Sequence, residues 1–266
     1  MAITSFIPEV WSARLQLNLQ KALVFGALAN RNYEGDIRQF GDTVHINTLN
    51  DIAVKPYTPN ADIDDPDQLT TVDQVLTIDH GAYYNFYLND VDAVQARADL
   101  MDAAMRNAAY RLAADAEDYI IGVVLAAEGT IKGSVSADKV YESIVAIKTA
   151  MDAAGVPAEG RKLVIPPALE GGMLLDARFI SGSKGEGRLE NGAVARAAGF
   201  DIYISPATAM ATKMVAFRPE DITFANQITK TEAYRREKGF DDGVKGLNMC
   251  GAKVTRPDAV AVYTVA

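Results

Sequence analysis

The chain has 266 residues, 49% of them hydrophobic, with 26 Lys and Arg against 35 Asp and Glu for a formal charge of −9. That content supports a real core in one large domain or two and excludes a chain disordered throughout, while the negative balance argues against tight nucleic-acid binding, which draws on Lys and Arg neutralising phosphates. A single cysteine, Cys250, leaves no intrachain disulfide and fits a reducing cytoplasm, and no leader-like or membrane-spanning apolar run is visible.

At the N-terminus, Pro8 stands where a helix can begin, and Val10, Trp11, Leu15, Leu19, Ala22, Leu23, Phe25 and Leu28 offer apolar contacts along a helix to Ala29. Asn30 and Gly35 then break it. The only tryptophan lies here, so the segment reads either as an arm docked on another surface or as an ordinary helix packed on its own domain.

Residues Asp36 to Ala127 follow as an extended arm feeding a helix. Thr43–Leu49 and Val72–Leu88 are strand candidates by alternation and by their β-branched and aromatic content. Between them, Asn50–Thr71 carries Pro56, Pro59 and Pro66 with Asp51, Asp62, Asp64, Asp65 and Asp67 against one lysine, Lys55. A hairpin with so little apolar surface is marginal alone and needs a further strand, helix or partner chain. Its acidic tip discourages edge-to-edge pairing with copies of itself.

Asn89 or Asp90 then offers an N-cap, and Val91, Val94, Ala98, Met101, Met105, Ala108 and Leu112 recur at three- and four-residue steps, predicting a helix to Ala127 about 55 Å long at roughly 1.5 Å per residue. Arg97, Asp102, Arg106, Arg111 and Asp118 take its other faces. From Tyr119 to Leu125 almost no polar side remains, which predicts a buried C-terminal end stopped by Gly129.

The second half predicts compact α+β structure: a helix over Lys139–Ala154, a strand over Lys162–Ile165, a short helix opened by Pro166 and Pro167, a helix over Asn191–Ala198 ended by Gly199, and a strand over Phe200–Ser205. Met214–Phe217, Ile222–Arg235 and Lys253–Val265 supply further extended runs, so a mixed sheet with flanking helices is expected.

Material for catalysis is scarce. His45 and His80 lie on opposite arms of the expected hairpin, close enough for an antiparallel pairing to bring them together, but two histidines alone do not make a metal site. The Asp62–Asp67 run lacks the central Gly and distal Glu of an EF-hand loop. Gly182, Gly185 and Gly187, with Lys184 and Arg188, match neither phosphate-binding glycine pattern and read as a surface loop. No cofactor, metal or catalytic constellation is expected. Gly239–Gly246, with Phe240, Asp241, Asp242 and Lys245, reads as a Gly-bounded loop after the mixed-charge cluster Arg235, Arg236, Glu237 and Lys238; it is either a solvated turn or an interface loop in which interleaved charges set register between identical copies.

Three blocks in fixed order carry a resemblance: LVIPPALEGGMLLDARFI (Leu163–Ile180), NGAVARAAGFDIYIS (Asn191–Ser205), and MVAFRPEDITFANQI followed by GAKVTRPDAVAVYTV. With the order of arm, extended loop, long helix and returning strands, the chain resembles the major capsid proteins of tailed bacteriophages with the Hong Kong 97 fold, closest to the P22-like coat branch. The resemblance implies an N-terminal arm over 1–35, an E-loop over 36–88, a peripheral (P) domain over 89–130 and 218–251 built on the spine helix, and an axial (A) domain over 131–217 and 252–266. Lys238–Leu247 would be the P-domain loop.

It further implies a non-enzymatic shell subunit forming hexamers and pentamers around double-stranded DNA in the virion capsid, assembled in the host cytoplasm. The implied partners are a separate scaffolding protein, since no long N-terminal scaffolding segment is present, a portal, and decoration proteins; no membrane is involved. Trp11, Lys55, Asp62, Asp64, Asp65, Asp67, Arg235, Arg236, Lys238, Asp241, Asp242 and Lys245 are the candidate intersubunit residues. Some relatives crosslink an E-loop lysine to a neighbour's asparagine, which here would join Lys55 to Asn248. An encapsulin-like compartment shell and, from another class, a soluble nucleotide-binding enzyme using the Gly182 loop are the alternatives.

Overall fold

The computed structural model describes residues 24–33, 43–49, 54, 56, 59, 71–89, 100–136, 139–175, 195–235 and 241–265. The first element, α1 (Phe25–Leu28), is a single turn that buries Phe25, whose ring stacks on Phe217 with centroids 5.9 Å apart. Asn30 ends the turn by joining a strand: its N–H donates to the Ile222 carbonyl, and its own carbonyl accepts from the Phe224 N–H. The rest of the predicted N-terminal helix, with Trp11, lies outside the described residues.

The extended run expected over 72–88 is two strands. β1 (Thr43–Leu49) and β2 (Thr71–Thr77) form an antiparallel hairpin with Thr43 opposite Thr77 and Leu49 opposite Thr71. β3 (His80–Asn89) leaves that hairpin for a second sheet. The apolar alternation of Leu76, Ile78, Ala82, Tyr84 and Phe86 runs straight through the break, which is why the sequence does not mark it. Asn89 closes β3, and the expected helix start after it lies outside the described residues.

The long helix, α2 (Leu100–Ala126), spans 27 described residues, or about 40 Å at 1.5 Å per residue. Met105, Ala109, Leu112, Ala113, Ala116, Ile120 and Val124 form its buried stripe, and Arg106, Arg111 and Asp118 are exposed. Gly129, at φ 80°, turns the chain out of it in a left-handed conformation that favours glycine.

Beyond the helix, β4 (Ile131–Val135), α3 (Val140–Ala153), β5 (Lys162–Ile165), α4 (Pro167–Leu175), β6 (Ala195–Ala197), β7 (Phe200–Ile204) and β8 (Lys213–Phe217) build a compact unit. The expected helix before Gly199 is replaced by β6: Ala198 (φ 50°) and Gly199 (φ 88°) are both left-handed, which suits a two-residue hairpin turn and pairs Ala197 with Phe200. β9 (Ile222–Arg235) and β10 (Asp241–Val254) are long antiparallel partners. The run expected over Lys253–Val265 is divided by a 3₁₀ turn at Pro257–Ala259, after which β11 (Ala261–Val265) begins.

Among the described residues three sheets form, with strand orders β1-β2, β3-β10-β9 and β4-β11-β8-β5-β7-β6. The six-stranded sheet is mixed, with β11–β4 and β5–β7 parallel. Alternate residues of a strand face opposite sides, and here Val164, Val215 and Val262 join the cluster around α2 while Leu163, Ile165, Met214, Ala216 and Ala261 join the cluster of α3 and α4. The sheet therefore has helices on both faces, an α+β architecture. The α2 cluster also takes in Val244, Cys250 and Ala252 of β10, making the helix the shared core of both larger sheets. A small third cluster, Ile46, Leu76, Ile78, Ala225 and Met249, seats the base of the hairpin on the three-stranded sheet.

Candidate interaction surface

The glycines at 243 and 246 do not form the expected loop; both lie within β10. A Cβ on Gly243 would meet the Tyr234 ring 2.6 Å away, and one on Gly246 would strike the Tyr84 ring. Aromatic rings cover glycines across the strand pair, which lets β10 keep extended geometry without side chains of its own. Composition signalled a turn where the partner strands supply the missing bulk. Residues 236–240 between β9 and β10, including Arg236 and Lys238, lie outside the described residues.

Four of the candidate residues are described and cluster at the end of this ribbon. Arg235 and Asp242 are opposite one another in register and form an ion pair at 3.1 Å. Lys245 pairs with Glu232 at 2.9 Å and lies 5.7 Å from the centre of the Tyr234 ring. These three candidates are exposed or half-buried, whereas Asp241 is 5% exposed and faces the interior. Lys55 and Asp62, Asp64, Asp65 and Asp67 lie outside the described residues.

Sequence reasoning missed the surface these residues belong to. Along β3, Ala82, Tyr84 and Phe86 pack toward the core while Tyr83, Asn85 and Tyr87 face outward. Tyr83 is 79% exposed and Tyr87 58%. In register, Tyr83 stands beside Leu247, Asn85 beside Lys245, and Tyr87 beside Gly243. The Tyr234 hydroxyl donates to Asn85 Oδ1 at 2.7 Å, tying the two outer strands together over the centre of the patch. A cleft of about 350 Å³ opens beside Tyr83, Asn85, Glu232, Lys245 and Leu247. Exposed aromatic residues are enriched at protein-docking faces, whose rims are polar and charged. The outward period of Tyr-Asn-Tyr was the available signal.

Buried polar contacts hold the elements beneath. Glu117 of α2 accepts from the Ser205 hydroxyl at 2.6 Å and from the Val24 N–H at 3.4 Å, so one carboxyl joins α1, the helix and the strand end after β7. Burial pushes that carboxyl up, partly offset by the two hydrogen bonds. Burial likewise pushes the Cys250 thiol up to about 12, with Asp115 and Asp79 adding to it, so it is protonated and unreactive at neutral pH.

The histidines do not meet. His45 pairs with Asp73 at 2.6 Å within the hairpin, while His80 starts β3 and pairs with Asp115 of α2 at 2.6 Å. The hairpin register places Val75, not His80, opposite His45. Asn248 is 1% exposed in the middle of β10, and Lys55, its expected crosslinking partner, lies outside the described residues. The Gly182 loop lies outside the described residues.

Comparison with protein families matches the Phage capsid protein family over residues 77–265. A chain of Mycobacterium phage Che8 is similar at 26% identity, with 91% of this chain and 90% of that chain covered and a TM-score of 0.72. A capsid structure of the cyanophage P-SCSP1u is similar at 16% identity, covering 92% and 88% with a TM-score of 0.69. A virus-like particle from Pyrococcus furiosus is similar at 18% identity, covering 96% and 98% with a TM-score of 0.62. No curated protein matches.

Proposed function

The chain belongs to the phage capsid protein family and has the Hong Kong 97-like fold, and from that premise we propose that identical copies form hexamers and pentamers closing into an icosahedral shell around double-stranded DNA. The observation that carries this reading beyond family membership is the β1–β2 hairpin. It is a two-stranded sheet seated by its base through Ile46, Leu76 and Ile78, and two-stranded ribbons need further partners for stability. Neighbouring subunits would supply that surface, and many such contacts would reinforce one another in a closed shell.

In this reading the chain divides into an N-terminal arm (1–35), an E-loop (36–88), a peripheral domain (89–130 and 218–251) and an axial domain (131–217 and 252–266). The outward patch around Tyr83, Tyr87, Arg235, Asp242 and Lys245 is an intersubunit contact, joined by Trp11, Lys55, Arg236, Lys238 and the acidic Asp62, Asp64, Asp65 and Asp67. Asp241, a further candidate, is buried in the single chain. The role is mechanical rather than enzymatic. A separate scaffolding protein, a portal and decoration proteins are the further partners, and assembly takes place in the host cytoplasm. The order of the three sequence blocks supports placement near the P22-like coat branch.

One observation favours a second reading, a protein-filled compartment: the similarity to the virus-like particle extends over nearly all of both chains. Contents distinguish the two. Nuclease-treated particles that release double-stranded DNA support the capsid reading, whereas particles holding a cargo protein and no DNA contradict it.

A further inference from the structure

Strand alternation divides β4, β11 and β8 into two faces. Ile131, Val135, Tyr263 and Met214 pack on the side of α3, so Lys132, Ser134, Thr264 and Lys213 share the side of α2. Val215 and Val262 lie on that same side and belong to the α2 cluster, which puts the four polar residues at the margin of the helix's cover. Ser134 stands opposite Thr264 and Thr264 opposite Lys213, across three adjacent strands, with Lys132 opposite Val262 on the edge strand. At about 4.8 Å between strands and about 3.3 Å per residue, the two lysine Cα atoms are roughly 12 Å apart, so their four-carbon stems bring both ammoniums over the hydroxyls between them.

Every group at this corner offers a proton. Lys213 Nζ donates to Thr264 Oγ1 at 2.8 Å, which leaves the Thr264 hydroxyl its own proton to donate. The Ser134 hydroxyl is exposed and unengaged among the described residues. Lys148, Lys162 and Lys245 each pair with an acid. Lys132 and Lys213 have no carboxylate partner among the described residues, although the chain holds 35 Asp and Glu against 26 Lys and Arg. Lys213 is also half-buried, so its charge is partly stripped of water with only a hydroxyl to meet it. An ammonium so placed favours an anion.

We propose that Lys132, Ser134, Thr264 and Lys213 form a contact site for the phosphodiester backbone of duplex DNA. This rests on the reading of the chain as a shell around double-stranded DNA. Lys213, Thr264 and Ser134 take the oxygens of one phosphate, and Lys132 neutralises the next along the strand. Lysine binds phosphate as a point charge, and Ser and Thr hydroxyls are common donors to phosphate oxygens. None of the four is an arginine fork suited to a carboxylate, a ring on which a base could stack, or an amide that reads a base edge. The contact is therefore independent of sequence. Two lysines make it weak and salt-sensitive, in keeping with the chain's net charge of −9, but repetition over many copies would let such contacts add up.

The test uses the full chain as dispersed subunits with a fluorescently labelled duplex of mixed sequence, read by anisotropy while salt is varied. Affinity should fall as salt rises, and Lys132→Gln and Lys213→Gln should each flatten the log–log slope by about 0.9, the share of one neutralised phosphate. Lys148→Gln, whose ammonium is already paired with Asp152, should leave the slope unchanged. Replacing chloride with inorganic phosphate at constant ionic strength should leave the duplex bound, and polyglutamate should bind less tightly than the duplex. Release by phosphate would assign the corner to the free anion, and tighter binding of polyglutamate would assign it to an acidic protein. Either result, or unchanged slopes in the folded lysine variants, would overturn the proposal. Lys132 is exposed, so its variant carries the comparison should Lys213→Gln fail to fold. Dispersed subunits keep this test apart from the shell reading, which fails separately if the parent chain forms no particles.

Discussion

Ser205 donates a 2.6 Å hydrogen bond to Glu117 Oε1, tying the end of β7 to the middle of α2 across 88 residues of sequence. The Glu117 carboxyl is buried, and burial raises it above the ordinary glutamate value. A raised acid is favoured in its protonated form by folding. Its contribution to stability is therefore fully present below the unfolded value of about 4.3 and is lost as pH rises through the folded value. Glu117→Gln stays neutral and keeps an acceptor for Ser205. Its melting temperature, relative to that of the parent, should rise between about pH 4 and about pH 7. A flat or falling difference would mean the fold prefers the carboxylate.

The Tyr84 ring over Gly246 predicts a steric coupling. Gly246→Ala forces a methyl group into that half-buried ring and should cost about 1–3 kcal/mol, as overpacking does. Combining it with Tyr84→Leu should recover part of the loss, because the shorter side chain vacates the space. Denaturant titration of the two single variants and the double variant checks this. Full stability of Gly246→Ala alone would show that the ring swings aside freely.

Leu112 is 4% exposed on α2, with exposed Arg111 about 100° around the helix. Leu112→Asp buries an unpaired charge and should cost several kcal/mol, abolishing soluble subunits, while Arg111→Ala should stay within about 0.5 kcal/mol. Soluble yield and thermal melts of both variants decide it. A tolerated Leu112→Asp would place the helix stripe in solvent.

Lys245 and Glu232 separate folding from assembly. Both are on the surface, where an ion pair contributes about 0.2–1 kcal/mol, so subunit melting should move little in Lys245→Glu, Glu232→Lys or the double reversal. Particle yield should fall in Lys245→Glu. Restoring the internal pair in the double reversal should not recover it, because the sign of the patch seen by a neighbour stays inverted at each position. Full recovery would assign the pair to the subunit alone.

What the sequence disclosed follows from where local pattern and tertiary context agree. The C-terminal half of α2 was legible because Tyr119 to Leu125 are apolar on nearly every side, as a helix shared by two sheets requires. The break at Ile78 and Asp79 was not, since a strand that changes sheets keeps its alternation. Gly243 and Gly246 read as loop residues because the rings that cover them, Tyr234 and Tyr84, come from neighbouring strands that only the register places beside them. At the candidate surface, the charged Arg235, Asp242 and Lys245 stood out by composition. Tyr83 and Tyr87 were hidden among apolar strand residues until the register placed them outward, and buried Asp241 shows that charge alone does not identify a surface group.

The central claim is that this chain builds a closed shell from copies of itself. Negative-stain electron microscopy of the purified protein, taken from cells that also supply any scaffolding protein, tests it most directly. The account predicts closed particles of uniform diameter with five- and six-fold clusters of subunits on their surface. Dispersed monomers or small discrete oligomers, with the chain folded and at high concentration, would contradict it.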